Sequence, residues 1–556
     1  MDEMKNNEFE TTSNFIHNII DKDLQSGAVT KIHTRFPPEP NGYLHIGSAK
    51  AIWINWSIAK KYNGKFNLRY DDTNPIKEDD EFVKAIEQDI FWLTGEKPSG
   101  GIFYGSDYFM QCYEYAVKII KDGKAFVCDL TNAQMSEYRG TLTRAGKESP
   151  FKNRTIEENL MLFEKMKNGE FPEGKCTLRA KIDMSSSNMN LRDPIIYRIL
   201  FKEHHRQGNK WCIYPMYDFA HPIQDALEGI SHSLCSIEFD NHRPLYDWVI
   251  DNIGIKQKPH QYEFARLNMT NTVMSKRYLR QLVETKTVDS WDDPRMPTLC
   301  GMRRRGYTPT AILKFIELSG VSRAISLVDS GLLEFCICEE LNKIADRRVA
   351  ILEPVKVTIT NYPENKEEYF EFWNNINPEK GKRKLPFSNE IYIEKADFME
   401  NPTDDFFRLA LGKEVRLMNA YICKCNEIVK DKNGEIIELK CTVDLETKNN
   451  KPADKRKIKG TIHWLCKDAF FTTTIKCYNL LFNDTNVVVS EDEDFNGAIN
   501  PQSVVEYKNC MLENSLKGAT SSEKYQFVRN GYFGVDCKNE NEYIRIAPLK
   551  SSYKPK

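Results

Sequence analysis

The 556-residue chain reads as an α/β protein: a doubly wound parallel-sheet domain split by an insertion, then a helical segment and a long β-rich half. Three observations predict this. Strand and helix patterns alternate from Val29 to Leu93, and they return after residue 210. From Val355 onward short alternating strands dominate, separated by turn signals such as Lys432-Asn433-Gly434.

Residues 1–30 read as a polar arm and a short helix, NFIHNIIDKDL. VTKIHTRF, Val29 to Phe36, has the length and β-branched content of a buried strand. Pro37, Pro38 and Pro40 then forbid regular structure, and Asn41-Gly42 signals a turn. Past His45, the apolar residues Ile46, Ala49, Ile52 or Trp53, Trp56 and Ala59 recur at helical spacing. A second strand, KFNLRYDD, puts Phe66, Leu68 and Tyr70 on one face and Arg69 and Asp71 on the other. A helix follows through Val83, Ile86, Ile90 and Leu93. Ligands of such sheets bind beyond the carboxyl ends of the strands, which is where Asp71 falls.

The pattern from 106 to 210 is irregular and marks an inserted domain; 211–277 returns as the second half of the nucleotide fold. Residues 278–345 are helix-rich, and 346–556 carry strands such as VKVTITNY, EIYIEKADF, KEVRLMNAYICKC, IKGTIHWL and VVVSED. Those strands suit barrels or sandwiches.

Composition narrows the classes. No apolar run of 18 residues is present, so no membrane partner is expected. Fifteen cysteines without a CxxC pair indicate neither a zinc ribbon nor a disulfide framework, so no structural metal is expected and a reducing cytoplasm is. The net charge of −2 does not advertise nucleic acid. The basic clusters at 303–305, 382–384 and 455–459 offer local phosphate-binding faces.

Two short runs carry the chemistry. RFPPEPNGYLHIGSAKAI, Arg35 to Ile52, places His45 and Gly47 where a strand feeds a helix start. Unpaired N–H groups and the positive dipole end suit phosphate there, and His45 can donate a hydrogen bond to it. VMSKR, Val273 to Arg277, follows an Asn/Thr-rich stretch and is expected to form a loop whose Lys276 meets charge developing on phosphates. Either run alone has a bland reading as a turn or a surface lysine. No GxxxxGK[ST] motif appears, which excludes a P-loop.

These runs, with DDTNP, YRGTLT, LRAKIDM, RDPIIYRI, GNKWCIYPMYDFAH, DALEGISHSLCS, QYEFARLN and WDDPRMPTLCGMRRRGYT, resemble the glutaminyl branch of the class I aminoacyl-tRNA synthetases nearly end to end. The resemblance implies a Rossmann-like catalytic domain with an inserted acceptor-stem-binding domain, a helical subdomain and two C-terminal β-barrel anticodon-binding domains. It implies activation of L-glutamine with Mg-ATP, then transfer to the 2′-hydroxyl of the terminal adenosine of tRNA(Gln), by a cytoplasmic monomer.

By the same resemblance, His45 and Lys276 are the catalytic pair. Glu39, Pro40, Asn41, His45, Ile46, Gly47, Ser48, Ala49, Lys50, Ala51, Ser236, Arg266, Leu267, Met274, Ser275 and Lys276 hold ATP. Arg35, Asp71, Tyr217, His221, Cys235 and Gln261 form the glutamine pocket. Leu142, Asp240, Asn241, Arg347, Arg408, Arg416, Gln526 and Arg529 meet tRNA. Ser48, Met418 and Asp405 depart from the family pattern, which has a second histidine, an arginine and a glutamine there. The nearest alternative is glutamyl-tRNA synthetase of the archaeal–eukaryotic type. It is expected to read PPEASG in place of PPEPNG and to set an arginine where this chain has Cys235, a neutral group that cannot pair a carboxylate.

Overall fold

The computed structural model describes residues 13–75, 80–256, 258–364, 366, 368–448, 450–483, 498–551 and 553. The VVVSED segment lies outside these residues, as does most of the N-terminal arm. The chain forms two compact units: residues 1–268 with 316–328, and 269–315 with 329–556.

In the first unit, α1 (Phe15–Ser26) starts at Asn14, whose side chain accepts from the N–H groups of Ile16 and His17. β1 occupies only His33–Phe36, shorter than the expected Val29–Phe36 strand. α2 (Ile46–Lys61) buries nearly all of its faces, from Ile46 to Ala59. β2 (Lys65–Tyr70) pairs parallel with β1, Arg35 opposite Asn67. α3 (Asp80–Thr94) leads to β3 (Gly101–Tyr104), parallel to β2.

α4 (Phe109–Lys121) then opens the insertion. Its sheet is antiparallel: β4 (Ala125–Cys128), β5 (Thr177–Ala180), β6 (Ile195–Ile199) and β7 (Ile213–Pro215), in that order. α5 (Asn132–Arg139) and α6 (Ile156–Lys167) lie between β4 and β5. β7 pairs with β6, so this sheet runs past the expected boundary at 210. The apolar stretch CIYP completes the antiparallel sheet before the parallel pattern resumes.

α7 (Tyr217–Leu227), β8 (His232–Ser236), α8 (Arg243–Ile253) and β9 (His260–Phe264) complete the nucleotide fold. β8 and β9 are parallel, and the N–H of Ser231 donates to the His33 carbonyl, setting β8 beside β1. A single apolar core joins α4, α6 and the insertion sheet to α7 and α8.

The second unit holds α9 (Lys276–Glu284), helices at 299–305 and 330–344, and two seven-stranded mixed sheets. Each sheet has its own core, one centred on Trp464, Tyr421 and Phe387, the other on Phe527, Phe533 and Tyr543. Among the described residues no helix is long and apolar enough to cross a membrane.

Candidate active site

The site grows from the turn between β1 and α2. Pro37, Pro38 and Pro40 carry the chain out of the sheet, and the Pro38 carbonyl accepts the N–H of Asp71 at 2.9 Å. This bond ties the turn to the end of β2. His45 is the N-cap of α2: its backbone is extended, and its Nδ1 accepts the Gly47 N–H at 3.1 Å. A neutral ring so engaged carries its proton on Nε2, the donor a phosphate requires. Ser48 occupies the third helical position, where its Oγ accepts the His45 N–H at 3.4 Å. The serine at the departing position thus closes a capping box. Lys50, the fifth residue of α2, is almost fully buried, and burial lowers its pKa.

Asp71 ends β2 in an open cleft with Glu39, Asn41, Thr73, Asn74, Arg198, Pro215, Met216 and Tyr217. Asp71 is nearly buried, and its carboxyl is pushed up to about 6, first by burial and then by the charge of Glu39, against Arg69. The Thr73 hydroxyl donates to it at 3.0 Å. The next residue, Asp72, is locked in place. Its carboxylate accepts from the Ser106 N–H (2.7 Å) and hydroxyl (2.6 Å). Its carbonyl meets His204 Nε2 at 2.7 Å, while His204 Nδ1 accepts from the N–H groups of Arg206 and Gln207. His205 Nε2 adds a contact to Asp72 at 3.3 Å. Asp72, His204 and His205 cluster as metal ligands can. Their atoms are spent on one another and on the turn, so the cluster serves to fix Asp71.

Arg35 lies at the floor, fully buried. Its guanidinium pairs with Asp225 (3.1 and 3.2 Å) and donates to the Leu234 carbonyl (2.8 Å) and the Ser233 hydroxyl (2.5 Å). Arg69 pairs with Asp225 at 2.7 Å and Glu228 at 3.3 Å. Two guanidinium groups hold the Asp225 carboxyl far below the usual range, against its burial. His221 touches both arginines and stacks on Tyr217, with ring centres 4.8 Å apart. Burial, against the pull of Asp225, sets His221 well below the usual imidazole value. Arg35 and His221 therefore shape the pocket from beneath, the arginine's charge met by Asp225 inside the core.

A smaller pocket opens beside Tyr217, lined by His221, His242, Tyr246 and Gln261. Gln261 Nε2 donates to the Phe239 carbonyl (3.1 Å) and to Glu263 (3.2 Å). Both are acceptors, so the amide orientation is fixed and Oε1 is the atom left for a ligand. Cys235 stands in the same region, and burial pushes its thiol far above neutrality. Ser236 follows at the end of β8, its Oγ buried with no partner among the described residues.

Arg198, Thr73, Asn74 and Met216 are cleft residues that sequence reasoning missed. Arg198 stands on β6 and reaches Asn74 Oδ1 at 3.1 Å, across 124 positions. RDPIIYRI and DDTNP held these residues, but nothing local joins them.

The remaining expected residues fall as follows. Pro40, Ile46, Ala49 and Leu267 are buried, and Ala51 is half-buried. Arg266 pairs with Glu238 on the surface. In the second unit, Ser275 is the N-cap of α9, Lys276 its first residue, and Met274 precedes them. The expected loop thus ends at Ser275, and Lys276 sits on a helix start. Leu282 and Leu279 bury one face of that helix, which is why it forms.

Leu142 is 79% exposed at the tip of a turn closed by backbone bonds between Thr141 and Arg144. Arg192 braces that turn through three carbonyls. Leu142 does not pack on its own domain. Asp240 pairs with Arg323 (2.6 Å) and Arg243 (3.4 Å), and the Asn241 carbonyl accepts from Asn188 and Asn190. In the β-rich unit, Arg408 and Arg529 converge on Asp397. Arg416 is committed to the carbonyls of Ala420, Thr447 and Asn450, and buried Gln526 donates to the Tyr532 hydroxyl. Met418 packs against the core, and exposed Asp405 accepts from Thr403.

The parallel sheet, the capped histidine at its first helix and the acidic residue at the next strand end all fall within a class I tRNA synthetase catalytic domain. The catalytic-domain model of the tRNA synthetases class I (E and Q) matches residues 31–343, and the anti-codon binding domain models match 345–444 and 461–536. The chain belongs to this family. It is 53% identical over 548 residues to a glutamine–tRNA ligase of Clostridium kluyveri, covering 98% of each chain. It is 54% identical over 527 residues to one of Yersinia pseudotuberculosis, covering 95% of this chain and 94% of that one. A glutamate tRNA ligase structure from Elizabethkingia meningosepticum aligns over 56% of this chain and 70% of its own, at 18% identity and a TM-score of 0.43.

Proposed function

We propose that the protein is a glutamine–tRNA ligase. The glutamine carboxylate attacks the α-phosphate of Mg-ATP, pyrophosphate leaves, and the glutaminyl group passes to the 2′-hydroxyl of the terminal adenosine of tRNA(Gln). Glutamine relatives at 53 and 54% identity support the substrate. One observation in the pocket carries the choice of amide over acid. Gln261 presents a carbonyl acceptor, Cys235 a neutral thiol, and the nearby Arg35 charge is already matched by Asp225. Beside Gln261 a γ-carboxylate would meet an acceptor, whereas a carboxamide N–H₂ meets its partner there.

In this reading Asp71 pairs with the substrate α-ammonium, a charge-assisted contact. His45 Nε2 and the α2 N-terminus take the phosphates, and Ser236 completes the nucleotide contact. Lys276 supplies charge as pyrophosphate departs. Leu142, Asp240 and Asn241 serve the acceptor end of the tRNA, and the sheets of the second unit serve the anticodon, in a cytoplasmic monomer. The test is aminoacylation of tRNA(Gln) transcript with labelled glutamine or glutamate. Charging with glutamine alone is expected; equal charging with both would overturn the reading.

A further inference from the structure

Strands 368–373 and 382–387 form a two-stranded antiparallel hairpin. Its alternation is strict on one strand. Phe370 and Phe372 face the core, and Tyr369, Glu371 and Trp373 face outward. Directly across from these three stand Pro386, Lys384 and Lys382. The outward rings are large and open: Tyr369 is 56% and Trp373 48% exposed. A solvent face built for solubility alone carries polar side chains, yet these two bulky rings leave about half of their surface to water.

The charge around the rings is positive. Lys382 Nζ lies 4.6 Å from the Trp373 ring centre and 2.9 Å from Glu371, so the one outward carboxylate is already answered. Lys384 adds a second exposed cation on the same face. The hairpin also adjoins residues expected at the anticodon. The Arg347 N–H donates to the Asn374 carbonyl at 2.6 Å, and Asn419 Nδ2 donates to the Glu371 carbonyl at 2.9 Å. Met418, beside Asn419, is spent on packing and carries no charge to offer RNA.

We propose that this outward face is a stacking platform for unpaired bases of the tRNA loop. Tyr369 and Trp373 take bases, and Lys382 and Lys384 take phosphates. Aromatic rings interleaved with lysines suit RNA: every base has a π-face, and every linkage a charge. A protein partner would call for apolar neighbours in place of the lysines. The inference rests on the tRNA-charging reading above.

The experiment uses the full chain and a fluorescently labelled tRNA(Gln) transcript, with binding read by anisotropy at several salt concentrations. Trp373→Ala and Tyr369→Ala are each expected to weaken binding by about 5- to 100-fold, with the salt slope unchanged. Trp373→Phe keeps a ring and is expected to hold affinity within roughly threefold. Lys384→Ala is expected to lower the slope of log K against log salt by about 1. Wild-type affinity in both alanine variants would overturn the platform. Failure of the wild-type chain itself to bind tRNA would instead overturn the functional reading. Circular dichroism of each variant separates a lost contact from a lost fold, and a folded Trp373→Phe with alanine-like affinity would also count against stacking.

Discussion

Ser48 Oγ accepts the backbone N–H of His45, the residue whose own side chain caps the same helix. The two residues cap reciprocally, so the position that holds a second histidine in relatives has a structural duty here. Ser48→Ala is expected to cost about 0.5–1.5 kcal/mol of stability, the net contribution of one hydrogen bond, and to lower kcat less than tenfold. His45→Ala and Lys276→Ala are expected to lower it by about 10²- to 10³-fold, as loss of a transition-state donor does. ATP–pyrophosphate exchange with tRNA present, alongside thermal melts, checks the division. Equal damage from Ser48→Ala and Lys276→Ala would show that the serine handles phosphate.

Asp71 must be ionised to hold an α-ammonium, and its carboxyl stands near 6. KM for glutamine is therefore expected to be flat above about pH 7 and to rise by about tenfold per unit below pH 6. Asp71→Asn should remove that slope and raise KM at every pH. The stability sign is opposite. A carboxyl raised on folding favours the fold below its unfolded value and loses that contribution as pH rises through about 6. At pH 8 the asparagine variant is thus expected to melt higher while working worse, and a lower melt would contradict the burial argument.

Asp225 answers two buried guanidinium groups at once. Asp225→Ala leaves Arg35 without a carboxylate and Arg69 with Glu228 alone, in the core, at a cost of about 3–5 kcal/mol. Urea denaturation followed by circular dichroism reads this directly. A midpoint unchanged from wild type would mean water or another carboxylate replaces it.

Glu368 accepts hydrogen bonds from Tyr362 and Tyr421 and pairs with Lys448. These partners outweigh its burial and hold its carboxyl at about 2, below the ordinary 4.5. The sign follows: its contribution is complete above pH 4.5 and is lost as pH falls toward 2. Tryptophan fluorescence during acid unfolding is expected to show a transition in that window which Glu368→Gln weakens. An identical acid profile in the variant would refute it.

Much of the site was legible in the residues because punctuation is local. Three prolines, Asn41-Gly42 and the spacing after His45 define strand, turn and helix without tertiary help. β1 came out shorter because Lys31 and the residues before it are exposed or in turns, outside the sheet. The helix at Lys276 was readable in principle: Ser275 precedes Leu279 and Leu282 at helical spacing, but the Asn/Thr tract before it masked the signal. Arg198 was not readable at all. Its place beside Asp71 depends on how the insertion sheet meets the end of β2, and no local rule encodes that meeting. The commitments of Arg416 and Gln526 were hidden likewise, since their partners come from distant strands and turns.

The bond from Asp71 N–H to the Pro38 carbonyl has a consequence for redesign. In the proposed reading it welds the turn that takes ATP and the residue that anchors the amino acid into one piece of backbone. Moving the main chain to admit a larger substrate would disturb the phosphate grip in the same stroke. Altered amino-acid preference in this scaffold is therefore most accessible through side chains standing away from that weld, Cys235 and Gln261 foremost.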